Sequence, residues 1–361
     1  MIFEIHKSCI ELLERGDPDI CSMLNNLATN RRKGLNIIIA DRDVLDYLKK
    51  CKQLEVNALR LFDSLNRKSH ETKELKKVVS RYYTIVADNS ITCDNCYTMT
   101  VSDILEKEFS AKTQLLVENL TDFKFYNYIG LYYALKNKIS YGVSFDMCPG
   151  GGRTSADLLA ALIDQETKLL LGIFDGDQKY PGDEIGGTLK AVLEIIDSKD
   201  RKFFECISLA EQGVHEAENL IPLKLIEEIY DSREINAQNT IKFLKRLYED
   251  ESDLYFYFDM KKGIYRPGKT YSKEYNTHWE GIAESFRKEE GIEISHISKV
   301  IVSQYGLLEK SIEYICENTS ENLDGLSILF NSYVKNKLIE LKWSDIGKEI
   351  FTWGCVGRRI P

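Results

Sequence analysis

Short apolar runs alternate with longer segments of helical periodicity through the middle of the chain, from Gln114 to Pro222. The runs contain the sequences QLLV, YGVSF, KLLLGIF and KFFECI, and each is followed by acidic or glycine-rich residues and then by a helix-like segment. Alternation of this kind predicts parallel strands joined by crossover helices. We therefore predict an α/β fold built on a parallel sheet flanked by helices.

The regions before and after this stretch have different patterns. A short amphipathic helix is predicted from Phe3 to Leu13, and buried strands are predicted at Leu35–Ala40 and Tyr82–Ala87. Later in the chain, Leu254–Phe258 reads as an aromatic strand, and helical patterns continue from Trp279 onwards. We divide the chain into an N-terminal α/β or mostly helical domain (1–112), a central domain (113–265) and a mixed helical C-terminal region (266–361).

Acidic residues follow three of the four predicted central strands. They are Glu118 after the first, Asp175 and Asp177 after the third, and Glu216 and Glu218 after the fourth. In a parallel sheet the ligand site lies outside the carboxyl ends of the strands. Carboxylates that converge there are suitable ligands for hard divalent cations such as Mg²⁺ or Mn²⁺. The pattern therefore predicts a metal-dependent centre that processes phosphodiesters.

Three local features bear on this hypothesis. Gly176 separates Asp175 from Asp177, so both carboxylates can lie on one side of the turn without a side chain crowding the metal. His215 lies in the loop after the fourth strand and could act as a base, but a single histidine is better interpreted as a core residue. A turn rich in glycine, Pro149–Gly152, precedes another predicted helix.

A glutamate that closes one strand and an Asp-Gly-Asp triplet that closes a later one resemble the motifs of the Toprim domain of topoisomerases, primases and related nucleases. The chain resembles in particular the Toprim nucleases of the overcoming-lysogenization-defect family and their relatives in bacterial anti-phage defence. In those proteins an aspartate follows the first glutamate by four residues, which corresponds to Asp122. A Glu-Asn pair before an apolar residue follows the fourth strand, which corresponds to Glu218. The resemblance covers about a third of the chain.

The resemblance implies a nuclease that hydrolyses phosphodiester bonds in DNA or RNA, transfer RNA included. The implied metal ligands are Glu118, Asp122, Asp175, Asp177 and Glu218, of which Glu118, Asp175 and Asp177 are also catalytic. Asp122 has a second interpretation, as an acid that stabilises the start of a helix. The resemblance further implies a lysine at the scissile phosphate within the segment DMKKGI, where Lys262 is preferred to Lys261. That segment can equally be a charged surface turn.

The glycine-rich turn has two interpretations. Backbone amides of Gly151 and Gly152 together with the Arg153 guanidinium would bind a substrate phosphate at the start of a helix. Three glycines are equally expected in a tight turn that binds nothing.

The expected partners are nucleic acid and, by the same resemblance, a separate ATPase, because the chain lacks a GxxxxGK[ST] loop of its own. A homo-oligomer is also possible. Two other functions stay open: a non-catalytic regulatory or binding subunit of a defence complex, and a primase-like nucleotidyl transferase. The transferase would require a triphosphate pocket and a template-binding module, and neither is evident.

Composition narrows the class of protein further. A formal net charge of −9 argues against a protein that coats nucleic acid by charge alone. Nine scattered cysteines fit free thiols in a reducing cytosol, and no apolar run or signal-peptide plan indicates a membrane, so we expect a cytoplasmic protein.

Cys93 and Cys96 have the spacing of half a zinc knuckle, but two free thiols are the better interpretation. Aspartates after the N-terminal strands only faintly resemble PIN-type ribonucleases and are better read as helix caps.

Overall fold

The computed structural model describes residues 1–88, 97–230, 235–250, 252–264, 272–291, 306–319 and 322–359. Cys93 and Cys96, the predicted half of a zinc knuckle, lie outside these residues, and so does the side chain of Arg153. The described part is an α/β protein with parallel sheets flanked by helices, as the sequence predicts. None of its helices is both long enough and apolar enough to cross a membrane.

The first sheet is built from residues 2–100 and is parallel throughout. Its strands are β1 (Ile2–Ile5), β2 (Ile37–Ala40), β3 (Tyr83–Val86) and β4 (Tyr97–Thr100), in the order β2-β1-β3-β4. The helices of this part are α1 (Ser8–Glu14), α2 (Pro18–Lys33), α3 (Arg42–Leu48), α4 (Val56–Arg67), α5 (Ser69–Lys73) and α6 (Val101–Glu106), with a 3₁₀ turn at Glu74–Lys77.

One prediction for this first part is wrong and two are confirmed. The strands expected near Leu35–Ala40 and Tyr82–Ala87 are present as β2 and β3. Phe3 and Ile5, in contrast, belong to strand β1, and the helix begins only at Ser8. A run of four residues is too short to distinguish strand from helix periodicity. Residues 2–5 form a strand because β1 pairs with β2 on one side and with β3 on the other.

The second sheet is the predicted central sheet, and its connections are the predicted crossover helices. Its strands are β5 (Gln114–Val117), β7 (Asp146–Pro149), β8 (Leu170–Phe174) and β9 (Phe204–Ser208), all parallel, in the order β7-β5-β8-β9. The helices are α7 (Leu120–Lys136), α8 (Ser155–Gln165) and α9 (Gly187–Asp197). The predicted second strand begins late, because Gly142–Val143 form a separate strand, β6, outside this sheet.

The remaining described residues are mostly helical. They form a 3₁₀ helix at Ala217–Leu220, α10 (Leu223–Ile229), α11 (Ile235–Glu249), a 3₁₀ helix at Asp253–Tyr257, α12 (Lys273–Glu290), α13 (Leu307–Thr319), α14 (Leu323–Tyr333), α15 (Lys337–Gly354) and strand β10 (Cys355–Val356). The aromatic strand predicted at Leu254–Phe258 is wrong. Tyr255 and Phe256 are instead buried in a 3₁₀ helix whose cap, Ser252, accepts a hydrogen bond from the Leu254 amide.

Alternating residues of the second sheet enter two different apolar layers. Leu116, Leu170 and Phe174 pack with α8 and α9 on one face. Leu115 and Leu171 face the other way, into a core that also contains residues of α7 and α15. The same core continues into the first sheet through residues such as Phe3, and β10 pairs antiparallel with β6. The three-part division of the chain stays a prediction.

Helices α7 and α15 approach closely where each has a glycine. A Cβ on Gly347 would lie 2.8 Å from the Ile129 carbonyl oxygen, and a Cβ on Gly130 would lie 2.7 Å from Ile350 Cγ2. The first of these neighbours is backbone and cannot rotate away. This contact holds α15 against the helix that carries Asp122.

We expect Gly347→Ala to lower the free energy of unfolding by about 1–3 kcal/mol, because the added methyl group overpacks the crossing. Gly281→Ala in α12 is the matched control, since nothing lies within 4 Å of its Cβ position. Alanine is the better helix former there by up to about 1 kcal/mol. Urea denaturation of both variants measures the difference, and equal stabilities would contradict the close crossing.

Candidate metal centre

The order of the second sheet brings the predicted acids to one edge. Strands β5 and β8 are neighbours, and Glu118 and Asp175 are the first residues after their carboxyl ends. Asp122 lies in the first turn of α7, one helical turn beyond Glu118. With Asp177, these carboxylates line a single cleft of about 80 Å³. The structure thus brings together four of the five predicted metal ligands.

The turn Asp175–Asp177 is joined to the loop after β9 through the backbone. The amides of Gly176 and Asp177 both donate to the carbonyl of His215, each at 2.9 Å. A Cβ on residue 176 would lie only 2.5 Å from the Val214 carbonyl oxygen, so glycine is required for this approach. Asp177 has a φ of 57°, in the left-handed region that aspartate tolerates better than most residues.

Glu218, the fifth predicted ligand, is buried in that loop beside Glu216. Asn219 holds the loop in place: it is 0% exposed, its Oδ1 accepts from the Glu216 amide, and its Nδ2 donates to the carbonyls of Tyr255 and Phe258. The asparagine of the Glu-Asn-Leu sequence therefore has a structural role. It fixes the two glutamates against the segment that leads to Lys261.

The two lysines of the DMKKGI segment are placed differently. Lys261 Nζ lies 2.9 Å from Glu216 Oε2 and 3.0 Å from Glu218 Oε1. Lys262, the lysine predicted to act at the phosphate, directs its ammonium to Asp259 at 3.8 Å instead. Both backbone amides donate to Asp259 Oδ1, so the two side chains leave a tight turn in different directions. The geometry thus places Lys261 at the acids.

Burial and neighbouring carboxylates raise the pKa values of two of these acids, Asp122 and Asp175. Burial raises the pKa of Asp122 to about 7, and the neighbouring carboxylates of Glu218 and Glu118 add to the rise. Burial also raises the pKa of Asp175 well above its usual range, and Glu216 and Glu218 raise it further. Such mutual repulsion is expected where a site has more negative charge than the protein alone neutralises.

The donor set fits a hard divalent cation. All the predicted ligands offer carboxylate oxygens, the donors that Mg²⁺ and Mn²⁺ prefer. None of Glu118, Asp122, Asp175 and Asp177 forms an ion pair with another residue in the described part of the chain. The positive charge of Lys261 instead pairs with Glu216 and Glu218. It also lowers the pKa values of Asp122 and Asp175, but less than burial and the neighbouring carboxylates raise them.

The glycine-rich turn contacts the centre through one residue. The amides of Gly150 and Gly151 donate to the carbonyls of Val117 and Glu118, at 2.7 and 3.2 Å, so they are used within the fold. Gly152 lines the cleft, and its Cβ position lies 3.7 Å from Glu118 Oε1. Of the two glycines predicted to bind a substrate phosphate, only Gly152 lines the cleft, and the phosphate contact stays a prediction.

Tyr126 is a residue of the cleft that was not predicted from the sequence. Tyr126 is buried, lines the cleft and lies four residues after Asp122, on the same face of α7. Burial and the nearby Asp175 raise its pKa well above the ordinary value, so its hydroxyl keeps its proton at neutral pH. The spacing of four residues from Asp122 was a signal that could have identified it.

No protein-family model matches this chain, and neither a search of curated proteins nor a search of solved structures finds a match. The resemblance to Toprim nucleases therefore depends on the motifs and stays a prediction.

We expect the metal-free Asp175→Asn protein to be more stable than the wild type at pH 8, because the substitution removes one of the repelling charges. A gain of roughly 1 kcal/mol would raise Tm by about 1–2 °C for a chain of this size. Mn²⁺ should then raise Tm of the wild type and have little effect on the variant. Asp200→Asn, at an exposed position outside the cleft, is the control. A metal-free variant less stable than the wild type would contradict the repulsion.

Proposed function

We propose that this chain is a metal-dependent nuclease that hydrolyses phosphodiester bonds at the carboxylate centre. The observation that carries the proposal is the convergence of Glu118, Asp122, Asp175 and Asp177 on one cleft at the carboxyl edge of a parallel sheet. Acids that serve only as surface solubilising groups do not converge in this way with raised pKa values.

One or two Mg²⁺ or Mn²⁺ ions would be held by Glu118, Asp122, Asp175, Asp177 and Glu218. Such a cation, when bound, activates water and stabilises the charge on the phosphate oxygens during displacement. The chain holds these ligands rigidly. Asp175 is fixed by strand β8 and by the hydrogen bond that the Gly176 amide donates to the His215 carbonyl, and Asp122 is fixed by the first turn of α7. Preorganised ligands of this kind reduce the reorganisation that the reaction would otherwise require.

Lys261 would act electrostatically rather than as a ligand. Its ammonium lies between Glu216 and Glu218, next to the carboxylates that face the cleft. A cation at this position compensates the two buried glutamates and attracts a polyanionic substrate toward a chain whose net charge is otherwise −9.

The first test compares cleavage of plasmid DNA and of bulk transfer RNA by the purified chain in the presence of Mn²⁺. We expect Asp175→Ala to lower the rate at least about 100-fold, equivalent to about 2.7 kcal/mol of transition-state stabilisation, because a ligand is lost. Asp200→Ala is the matched control and should cut like the wild type. The substrate that is cut identifies the nucleic-acid class.

Two outcomes of this test would contradict the proposal. Equal cleavage rates for Asp175→Ala and the wild type would show that the carboxylate centre does not catalyse the cleavage. Absence of cleavage by a wild type that binds Mn²⁺ would favour a binding subunit that depends on a partner, such as the separate ATPase that the Toprim resemblance implies.

Lys261 and Lys262 form a matched pair of adjacent cations with different positions. We expect Lys261→Gln to lower the cleavage rate at least about tenfold, because a positive charge beside the reacting phosphate is lost. Lys262→Gln should stay within about twofold of the wild type, since its ammonium faces Asp259. Cleavage rates of the two variants, measured side by side at two salt concentrations, show which lysine acts at the phosphate. A larger loss of rate for Lys262→Gln would assign that role to Lys262.

A further inference from the structure

A second group of ligand-type side chains lies beside the carboxylate centre and shares no residue with it. His215, Glu216 and Asp259 are all buried, and each offers one ligand atom within 4.8 Å of those of the other two. The three residues come from two segments, the loop after β9 and the turn that begins the DMKKGI sequence. We call them the His–Glu–Asp cluster.

The tautomer of His215 follows from its one hydrogen bond. Nδ1 lies 2.9 Å from the carbonyl oxygen of Gln178, and because a carbonyl only accepts, Nδ1 must carry the proton. In the neutral ring Nε2 then carries a lone pair and can only accept. It lies 4.0 Å from Asp259 Oδ2, which is too far for a hydrogen bond, and no hydrogen bond joins it to any residue that the structure describes. A ring held through one nitrogen with the other available is the usual state of a metal-binding histidine.

Asp259 is oriented in a similar way. Its Oδ1 accepts from the amides of Lys261 and Lys262, at 3.0 and 2.7 Å, which fixes the carboxylate plane. Its Oδ2 is the atom nearest to His215, and the exposed Lys262 ammonium lies 3.8 Å from it. Outer contacts therefore hold one oxygen and leave the second directed into the cluster.

Glu216 provides the independent sign of a ligand. The residue is 6% exposed, and its Oε1 is buried without a hydrogen-bond partner in the described part of the chain. Its other oxygen is the one that pairs with Lys261. A buried carboxylate oxygen without a donor is costly and rare in folded proteins.

An ordinary core histidine does not explain this arrangement. With the ring neutral and both carboxylates ionised, the lone pair of His215 and the oxygens of Glu216 and Asp259 are all acceptors, so they cannot satisfy one another. A cation is the species that three converging acceptors accommodate. The imidazole nitrogen distinguishes this cluster from the carboxylate centre, because nitrogen donors favour first-row transition metals over Mg²⁺.

We propose that the His–Glu–Asp cluster binds one Zn²⁺ ion through His215 Nε2, Glu216 and Asp259. One nitrogen and two carboxylate oxygens are donors that Zn²⁺ accepts, and a fourth position stays open for water. A bound ion ties the loop after β9 to the DMKKGI segment. It therefore fixes the two elements that place Glu218 and Lys261 at the carboxylate centre.

The test is equilibrium dialysis of the purified full chain against Zn²⁺ in the presence of excess Mg²⁺, which competes for all-oxygen sites. We expect one tightly held Zn²⁺ per chain. His215→Gln should weaken its binding at least about tenfold, while the glutamine amide can still donate to Gln178. His6→Gln is the matched control, because His6 contacts Ser8 in the first part of the chain and lies outside the cluster.

Asp259→Asn is the second variant and guards against misfolding, since it keeps an oxygen that can accept from the Lys261 and Lys262 amides. It should also lose the Zn²⁺ while its circular dichroism and metal-free Tm stay close to those of the wild type. Zn²⁺ binding by His215→Gln with wild-type affinity would overturn the proposal. So would a wild type that retains no Zn²⁺ under excess Mg²⁺.

Asp175→Ala separates this proposal from the proposed nuclease. It should retain the Zn²⁺ ion, because Asp175 is not a member of the His–Glu–Asp cluster. Loss of Zn²⁺ in Asp175→Ala would place the ion in the carboxylate centre and overturn the second site. Retained Zn²⁺ in a chain that cuts no nucleic acid would support the second site while the nuclease proposal fails.

Discussion

The carbonyl group of His215 accepts two hydrogen bonds from the turn at the end of β8, one from Gly176 and one from Asp177. This shared acceptor joins the third strand of the sheet to the loop after the fourth strand. The site depends on it, because the aspartates belong to one segment and Glu216 and Glu218 to the other. Without a glycine at 176 the two segments could not approach, since the Val214 carbonyl occupies the space where a Cβ would lie. The chemistry proposed for both centres therefore begins with a backbone contact.

The convergence that this contact produces is electrostatically unfavourable for the chain alone. Asp122, Asp175 and Glu216 all have raised pKa values, and burial is the main cause in each case. Folding gathers these acids at a cost, which the packing of the α7–α15 layer and the apolar sheet faces must offset. Sites that conflict with stability in this way are usually retained for function, because selection for stability alone would remove them. A divalent cation resolves the conflict directly, whereas one lysine resolves only part of it.

The sequence contained enough information to predict the central sheet and the positions of most acids. It did not predict strand β1, the choice of lysine or the place of Asp259, and each of these has a physical reason. Apolar runs such as Leu169–Phe174 are long, continuous and bounded by polar residues, so their strand character is independent of context. Four-residue strands such as β1 have no such signal, and tertiary pairing decides their conformation. The choice between Lys261 and Lys262 depends on the dihedral angles of one turn, which adjacent identical residues cannot reveal. The position of Asp259 likewise depends on an approach between segments more than forty positions apart, because its Oδ2 lies 4.0 Å from His215 Nε2.

The carboxylate centre and the His–Glu–Asp cluster differ in the hardness of their donor atoms, and this difference suits them to different cations. Asp175 and its partners present only oxygen to an open cleft, which suits an ion that must exchange ligands with substrate and water. His215, Glu216 and Asp259 are buried and include a nitrogen, which suits an ion that stays in place. Lys261 lies at the boundary, because it pairs with Glu216 of one group and Glu218 of the other. A change of charge in the buried group therefore reaches the open one in two ways, through this ammonium and directly, since Glu216 adds to the rise that burial causes in the pKa of Asp175. The backbone of the same turn, held by Asp259, determines where the ammonium lies.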